Sequence, residues 1–373
     1  MDNDLLKTVE MSGPARALEA YDSRLASGGD AWKVHLELFP VVQRVLNPPF
    51  INPHLPKMYN ICRELLPYLE SEDITSLVRL EITEYARRVK LDELGKSRFS
   101  QSSVNFVDIE EVIERRNWSE TASLMAVFHY QHGGQEFARR LLLLGSGYLD
   151  RSLGHSISCT AFILREMLER KDQNPWPAFA ALADYFCKGR FCKTPEMVKE
   201  PVLDSSGDLR EHVLKVVSGR GILNLHHPIT LYAIERVRFL FDEPQYNHLI
   251  AQWIRFMGDK ASDRIELPPS VAKAPADYAQ FYEKFSRYEI KPVLQWAAGM
   301  MGSDEGRKTL GRYLIKAVCD QYQGRYNPHN LTGLGSTLWI MENWRDDPEV
   351  ALTALYQFVD YFFEDIKPEK SNT

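Results

Sequence analysis

Four of the ten histidines stand where the sequence predicts the start of a helix. The tripeptide Asn-Pro-His occurs twice, ending at His54 and at His329. Asparagine is a good N-cap, and proline suits the first helical position. His155 follows a glycine and opens an apolar-periodic run, whereas His227 precedes a proline and another run of this kind. The recurrence of histidine at predicted helix starts is the strongest chemical pattern in the chain.

A histidine at a helix N-terminus is biased towards its neutral form, because the partial positive charge there disfavours imidazolium. Neutral imidazole is the form that binds a metal ion. We therefore predict that His54, His155, His227 and His329 converge on one metal site within a helical bundle. Any one of them alone is more commonly a capping or hydrogen-bonded polar residue, so the prediction depends on the recurrence.

The ligand types limit the choice of metal. Imidazole-rich sites suit iron, copper, zinc or nickel. Four neutral histidines would leave the site cationic, so we expect a carboxylate nearby. Glu84, Glu166 and Glu235 lie on or beside the predicted histidine helices, and the sequence does not choose among them.

Two further histidines have a suggestive context. His226 is the direct neighbour of His227, and the two side chains point in different directions, so that at most one is expected to be a ligand; we assign that role to His227. His132 follows His129 by three residues, a spacing that places both on one helix face. That pair could bind a metal, line a pocket, or form an ordinary polar stripe.

Several other chemistries find no support. The sequence has no nucleophile elbow, no cysteine in a recognised protease context, no phosphate-binding loop, and no dinucleotide-binding fingerprint. We therefore do not expect a resident flavin or nicotinamide domain.

The composition bounds the kind of protein. The 373 residues are 44% hydrophobic and 26% charged, as in a globular protein with a sizeable core. The net charge of -6 argues against nucleic acid as a partner. Five cysteines without paired spacing indicate a reducing compartment, and short apolar runs predict no membrane span. We expect a cytoplasmic protein.

Helical periodicity dominates the chain, and no segment alternates as a strand does. We predict an all-α fold, with one large bundle-like domain over residues 14–366 and the site at converging helix N-termini. Residues 1–13 and 367–373 are expected to be flexible. We also predict one helix over residues 32–45, a helix that begins just after His227, a long connection over 188–208, and a mobile loop over 258–275.

The four histidine stretches resemble the questin oxidase-like family. Residues 52–58 are similar to the family's N-terminal histidine-leucine-proline motif, and residues 155–161 to its central histidine at a helix start. Residues 227–230 resemble its histidine-x-x-threonine element. Residues 329–332 fall where the family has a histidine followed three residues later by a lysine. The order matches over residues 50–345.

The resemblance implies an all-α oxygenase. Members of the family open a ring of aromatic polyketides such as anthraquinones with molecular oxygen, and at least some hold non-haem iron through several histidines and a carboxylated lysine. By that likeness, His54, His155, His227 and His329 would hold the iron. Thr332 departs from the pattern, because it stands where the lysine is expected.

The leading hypothesis is therefore a non-haem iron oxygenase of secondary metabolism that oxidises or cleaves an aromatic, polyketide-like molecule. The predicted catalytic base, which would deprotonate a phenol, is His226 or His132. The expected partners are this substrate and dioxygen. The sequence leaves open whether the enzyme uses an external reductant such as NADPH and whether it forms a homodimer. The alternatives are a zinc-dependent hydrolase or isomerase using the same histidines, and a non-enzymatic helical binding protein.

Overall fold

The computed structural model describes residues 3–91, 103–170, 174–193, 209–258, 274–322 and 327–367. Over these ranges the chain is all-α, as the sequence predicts: the described residues contain no strand, and only two isolated β-bridges occur. The helices are α1 (Asn3–Met11), α2 (Pro14–Ala26), α3 (Ala31–Glu37), α4 (Phe39–Val42), α5 (His54–Leu65), α6 (Ser71–Arg87), α7 (Phe106–Glu114), α8 (Trp118–His132), α9 (Gly134–Ser146), α10 (Leu149–Ser152), α11 (His155–Glu169), α12 (Trp176–Gly189), α13 (Leu209–Val217), α14 (Gly221–Arg236), α15 (Glu243–Met257), α16 (Tyr278–Ser286), α17 (Ile290–Met300), α18 (Asp304–Asp320), α19 (His329–Asn343) and α20 (Pro348–Ile366).

The chain divides into two compact units. The first comprises Met1–Asn60, Glu81–Ser205 and Ala233–Phe256, and the second comprises Ile61–Leu80, Ser206–Tyr232 and Met257–Thr373. The expectation of one domain over residues 14–366 stays a prediction. None of the helices in the described ranges is both long and apolar enough to cross a membrane.

In the first unit, α8 packs along α12 and α9 packs along α11. The second pairing is very close at Gly145, where a Cβ atom would lie 2.6 Å from the backbone oxygen of Ser156. The Ser156 hydroxyl also donates a 2.8 Å hydrogen bond to the Gly145 carbonyl. Only a glycine leaves room for this approach, which fixes the N-terminal turn of α11.

The start of α11 is defined by two residues in the left-handed region. Leu153 has a φ of 52° and Gly154 a φ of 76°. A left-handed turn of this kind reverses the chain direction after α10, and glycine adopts it at no steric cost. His155 is consequently the first residue of α11, as predicted.

In the second unit, α20 is the central element and packs against α13, α17 and α19. Gln357 of α20 is buried, and its amide donates to the carbonyls of Val216 and Gly219 at 2.8 and 2.6 Å. These bonds satisfy backbone groups at the end of α13, which would otherwise be buried without a partner.

The N-terminal segment differs from the expectation of a flexible end. Residues Asn3–Met11 form α1, which packs on α2, and Leu5 and Val9 are buried. These two residues are four apart and so lie on one helix face. The polar composition of the segment concealed this short apolar stripe.

The region around His227 is the main correction to the predicted helices. Helix α14 begins at Gly221 and runs through Pro228, so His226 and His227 lie inside the helix and not at its start. Proline inside a helix removes one backbone hydrogen bond and is normally unfavourable, which is why the sequence placed it in the first turn. The pKa argument for a histidine at a helix N-terminus therefore does not apply to His227.

Two smaller differences concern loops. The single helix predicted over residues 32–45 is two short helices, α3 and α4, because Pro40 supplies no backbone N–H to a continuous helix. Most of the predicted connection over 188–208 and of the predicted mobile loop over 258–275 lies outside the described residues, as does the tail beyond residue 367.

Candidate metal centre

His54 and His155 form a buried pair in the first unit. His54 is the first residue of α5 and His155 the first of α11. Their Nε2 atoms lie 2.7 Å apart, and their ring planes are nearly perpendicular. Two histidines that are 101 positions apart in the sequence, both predicted as ligands, thus come together at two helix starts.

The partner of His155 settles which of its nitrogens carries hydrogen. Its Nδ1 lies 2.7 Å from the carbonyl oxygen of Ser152. Because a carbonyl oxygen only accepts, Nδ1–H donates, and Nε2 is the unprotonated nitrogen of the neutral ring. Metal-binding histidines commonly show this arrangement, in which the second ring nitrogen donates to an oxygen.

His54 has the opposite arrangement, because of Asn47 and Arg88. Arg88 donates a 2.7 Å hydrogen bond to Oδ1 of Asn47, so the Asn47 amide must turn its Nδ2 towards His54. Nδ2 lies 3.2 Å from His54 Nδ1 and donates to it. The neutral His54 ring therefore carries its hydrogen on Nε2 and donates it to His155 Nε2. The hydrogen bonds therefore form one chain with a single direction. Arg88 donates to Asn47, Asn47 to His54, His54 to His155, and His155 to the Ser152 carbonyl.

The pair fits a metal ion after two changes. Two nitrogens bound to a common ion at about 2.1 Å lie about 3.0 Å apart in octahedral and about 3.4 Å apart in tetrahedral geometry. The observed 2.7 Å is shorter than either separation. The rings must move apart slightly, and His54 must transfer its hydrogen from Nε2 to Nδ1, where it needs an acceptor.

A second pair of histidines lies in the second unit. The rings of His226 and His329 are 4.6 Å apart, and both residues are buried. His226 Nδ1 lies 2.7 Å from the Ile222 carbonyl, and His329 Nδ1 lies 2.8 Å from Oδ1 of Asn327. Both Nδ1 atoms therefore donate to oxygen, and in each ring Nε2 is the unprotonated nitrogen. The orientation of these two histidines fits the pattern of metal ligands.

His227 and Thr332 belong to the same unit. His226, to which we assign a catalytic role, lies beside His329. His227 is buried, and its side chain leaves α14 about 100° away from that of His226. A metal-binding role for His227 stays a prediction. Thr332 is buried, and its hydroxyl has no hydrogen-bond partner among the residues described.

The three carboxylates that the sequence offers as possible metal ligands all interact with other side chains. Glu84 forms ion pairs with Arg87 and Arg88. Glu166 contacts the Arg170 guanidinium, and Glu235 accepts a 2.5 Å hydrogen bond from the Tyr246 hydroxyl. Each of these carboxylates would have to exchange a cation or a phenol for the metal.

His129 and His132 lie at the C-terminal end of α8. His132 is exposed, its ring packs on Phe128, and its Nε2 lies 3.4 Å from the Val104 carbonyl. His129 is half-buried against Phe179, and burial lowers its pKa. The contacts of His132 are those of a surface residue, and its proposed role as a base finds no support in them.

Sequence reasoning did not identify Lys57, which is completely buried one helical turn after His54. Its Nζ has no hydrogen-bond partner among the described residues. Cys159, one turn after His155 on α11, acts electrostatically on both Lys57 and Tyr185. The sequence does contain a signal for a buried lysine, because Lys57 lies between the apolar residues Leu55 and Met58. All five cysteines are free thiols.

A small cleft opens beside the His54 pair within the first unit. Its walls include Asn47 and Pro53, which precede α5, and Asp184 and Tyr185 of α12. The cleft therefore reaches both the hydrogen-bond partner of His54 and the buried group around Cys159.

Comparison with protein-family models, with curated proteins and with solved structures finds no match for this chain. The functional argument therefore depends on the residues themselves.

Proposed function

We propose that this protein is a metal-dependent oxygenase, most simply a non-haem iron enzyme, which oxidises or cleaves a small aromatic molecule. The observation that carries the proposal is the buried His54–His155 pair at the starts of α5 and α11. Imidazole nitrogens suit iron, and the hydrogen bond from His155 Nδ1 to Ser152 is the support that a metal ligand needs. When bound, iron would supply the activation of dioxygen.

The residues of the chain have separate roles in this proposal. His54 and His155 bind the metal in the first unit, and His329 and one of the neighbouring residues His226 and His227 bind metal in the second. The other of those two neighbours takes a proton from a phenol. Support for an aromatic, polyketide-like substrate comes from the resemblance of the histidine motifs to the questin oxidase-like family.

The test is the metal content of the protein after anaerobic reconstitution with iron(II), with zinc(II) as a parallel sample. Wild type is compared with His54→Ala/His155→Ala, with His226→Ala/His329→Ala, and with His212→Ala as a control outside both pairs. His155→Gln is included because it keeps a polar side chain, and circular dichroism checks that each variant is folded.

The stoichiometry distinguishes the arrangements. One equivalent of iron, lost in either double variant and kept in His212→Ala, means that all the histidines serve one ion. Two equivalents, of which each double variant loses one, mean two separate ions. Tight zinc with no iron would favour a hydrolase or isomerase. No bound metal in any sample would refute the proposal.

Bound iron leads to the second measurement, which is oxygen uptake with a panel of hydroxylated anthraquinones. Uptake that depends on both iron and the aromatic compound supports an oxygenase. A protein that binds iron but consumes no oxygen with any phenolic compound in the panel would contradict this activity.

A further inference from the structure

We propose that Lys57 is a nucleophilic amine, which condenses with a small aldehyde or ketone to form an imine at a buried site made with Cys159 and Tyr185. This proposal is independent of the metal chemistry above. It concerns side chains that the proposed oxygenase does not use.

The first argument is the position of Lys57. Its side chain is 0% exposed, and its Nζ has no hydrogen-bond partner in the part of the chain that the structure describes. Lysine is almost never fully buried without a partner, because the ammonium group loses its hydration. Burial lowers the pKa of Lys57, although the nearby Cys159 opposes this effect. Neutral amines of this kind serve as Schiff-base lysines.

The second argument is the chemical character of the side chains around Lys57. The Tyr185 hydroxyl is also buried and lacks a hydrogen-bond partner among the described residues. Burial raises the pKa of Cys159 to about 11, and burial together with Cys159 raises the pKa of Tyr185 well above its usual value. The thiol and the phenol are therefore uncharged at neutral pH, and burial shifts the Lys57 amine towards its neutral form. A polar, uncharged ligand would satisfy these groups.

The third argument is access. Tyr185 lines the small cleft beside the start of α5, and its hydroxyl belongs to the buried group. Pro53, which lies one turn before Lys57, lines the same cleft. A small carbonyl compound entering there arrives at Tyr185. In the proposed complex, its carbonyl oxygen accepts a hydrogen bond from the phenol and its carbon reacts with the Lys57 amine.

The reaction needs no oxidant or reductant. The lone pair of Lys57 Nζ forms a bond to the carbonyl carbon, and the carbonyl oxygen leaves as water after taking up two protons. Both of these protons come from the amine nitrogen. The product is a neutral imine, which suits a site without a counter-ion.

The test is borohydride trapping on the wild-type protein at pH 7, with acetaldehyde and acetone as probes. Peptide mass spectrometry then compares reduced adducts at Lys57 with those at exposed Lys33 of the same molecules. An exposed lysine with a pKa near 10.4 is less than about 0.1% neutral at pH 7. We expect labelling at Lys57 to be at least about tenfold faster than at Lys33.

Variants test the contribution of the neighbours. Tyr185→Phe should slow trapping at Lys57 at least about threefold and leave Lys33 unchanged, because it removes the donor to the carbonyl oxygen. Lys57→Met should abolish the fast-labelled peptide, and Lys33→Met should keep it. Labelling at Lys57 that is absent, or no faster than at Lys33 with both probes, would overturn the proposal without the use of any variant.

Discussion

Asn47 turns its amide nitrogen, not its oxygen, towards His54, and this orientation decides what His54 can do. Arg88 occupies the Asn47 oxygen, so His54 Nδ1 receives a hydrogen bond and Nε2 keeps the ring hydrogen. Metal binding through Nε2 requires that Nε2 be unprotonated and that the ring hydrogen lie on Nδ1. One amide thus opposes metal binding at a residue that the sequence identifies as a ligand.

Replacing this amide by a carboxylate should strengthen metal binding. In Asn47→Asp, a carboxylate oxygen accepts the Nδ1 hydrogen of His54 and so leaves Nε2 unprotonated. We expect the dissociation constant of iron(II) or zinc(II) to fall about tenfold or more, since partners of this type typically change affinity 10- to 100-fold. Isothermal titration calorimetry measures the change.

The control is Asn117→Asp, which adds the same charge at the exposed N-cap of α8. It should leave the dissociation constant unchanged. Equal or weaker binding by Asn47→Asp would mean that His54 does not bind the metal through Nε2.

Lys57 should also be visible in the stability of the protein. Lys57→Met removes a buried amine without a partner, a group whose burial costs about 1–3 kcal/mol. We expect the variant to be more stable than wild type by about this amount at pH 7, as measured by urea denaturation. Lys33→Met, at an exposed position, should change stability by less than about 0.5 kcal/mol.

The pH dependence has a definite sign. The folded-state pKa of Lys57 is lowered, so between that value and about 10.4 the unfolded chain binds a proton that the folded chain does not. Wild-type stability therefore increases with pH in this window, and the advantage of Lys57→Met shrinks towards pH 10. An advantage that stays constant from pH 7 to 10 would show that the amine is paired in solution.

At the level of single residues, the sequence predicted part of the site. His54 and His155 were identified because a helix start has a recognisable local signature, and the structure brings them together. Asn47, Arg88 and Tyr185 could not be identified, because their role depends on contacts between segments distant in the sequence. Lys57 was overlooked for a different reason, since burial of a lysine is too uncommon to be assumed.

At the level of helices, the crossing of α9 and α11 positions both His155 and Cys159. The backbone oxygen of Ser156 lies where a Cβ of residue 145 would go, and a backbone group cannot rotate away as a side chain can. The geometry of the His54–His155 pair therefore depends on Gly145, which is adjacent to neither histidine in the sequence.

Gly145→Ala should destabilise the protein and weaken metal binding together. Overpacking of this kind costs typically about 1–3 kcal/mol, although the higher helix propensity of alanine offsets part of that loss. Displacement of α11 moves His155 away from His54, so affinity for zinc(II) should fall along with the urea midpoint. Gly302→Ala, in open space, is the matched control and should change neither quantity. Unchanged stability in Gly145→Ala would mean that the two helices separate freely.

Helix starts were predicted more accurately than helix interiors. The starts at His155 and His329 were right because glycine, asparagine and proline restrict the backbone locally. The start at His227 was wrong because the sequence treats Pro228 as a helix boundary, whereas α14 accommodates it. Packing around α14 determines that outcome, and no local signal reports it.

At the level of the whole molecule, the all-α class followed from periodicity alone, whereas the division into two units did not. Each unit is assembled from three separate stretches of the chain. Three of the boundaries fall inside α5, α6 and α14, where nothing in the linear sequence marks them.

A bound metal should stabilise the folded protein as a whole. Free metal at 100 times its dissociation constant adds about 2.7 kcal/mol if it binds only the folded state. We therefore expect zinc(II) to raise the melting temperature at pH 7.5, and to raise it less at pH 5.5, because protons compete with the metal for the imidazole nitrogens. A fluorescence melting curve checks this, and His155→Gln should reduce the shift. An equal shift at both pH values would indicate carboxylate ligands instead.

The chain of hydrogen bonds that runs from Arg88 through the two histidines to the Ser152 carbonyl should be visible by proton NMR spectroscopy. The hydrogen of His54 Nε2 lies between two imidazole nitrogens and is shielded from solvent, so its exchange with deuterium should be slow. It should give a proton resonance downfield of the amide region, observable in the unlabelled protein and assignable through nitrogen coupling in a nitrogen-15-labelled sample. Because zinc is diamagnetic, its addition would remove this single line without broadening the rest of the spectrum. The resonance thus reports directly whether the two rings share a hydrogen or a metal ion.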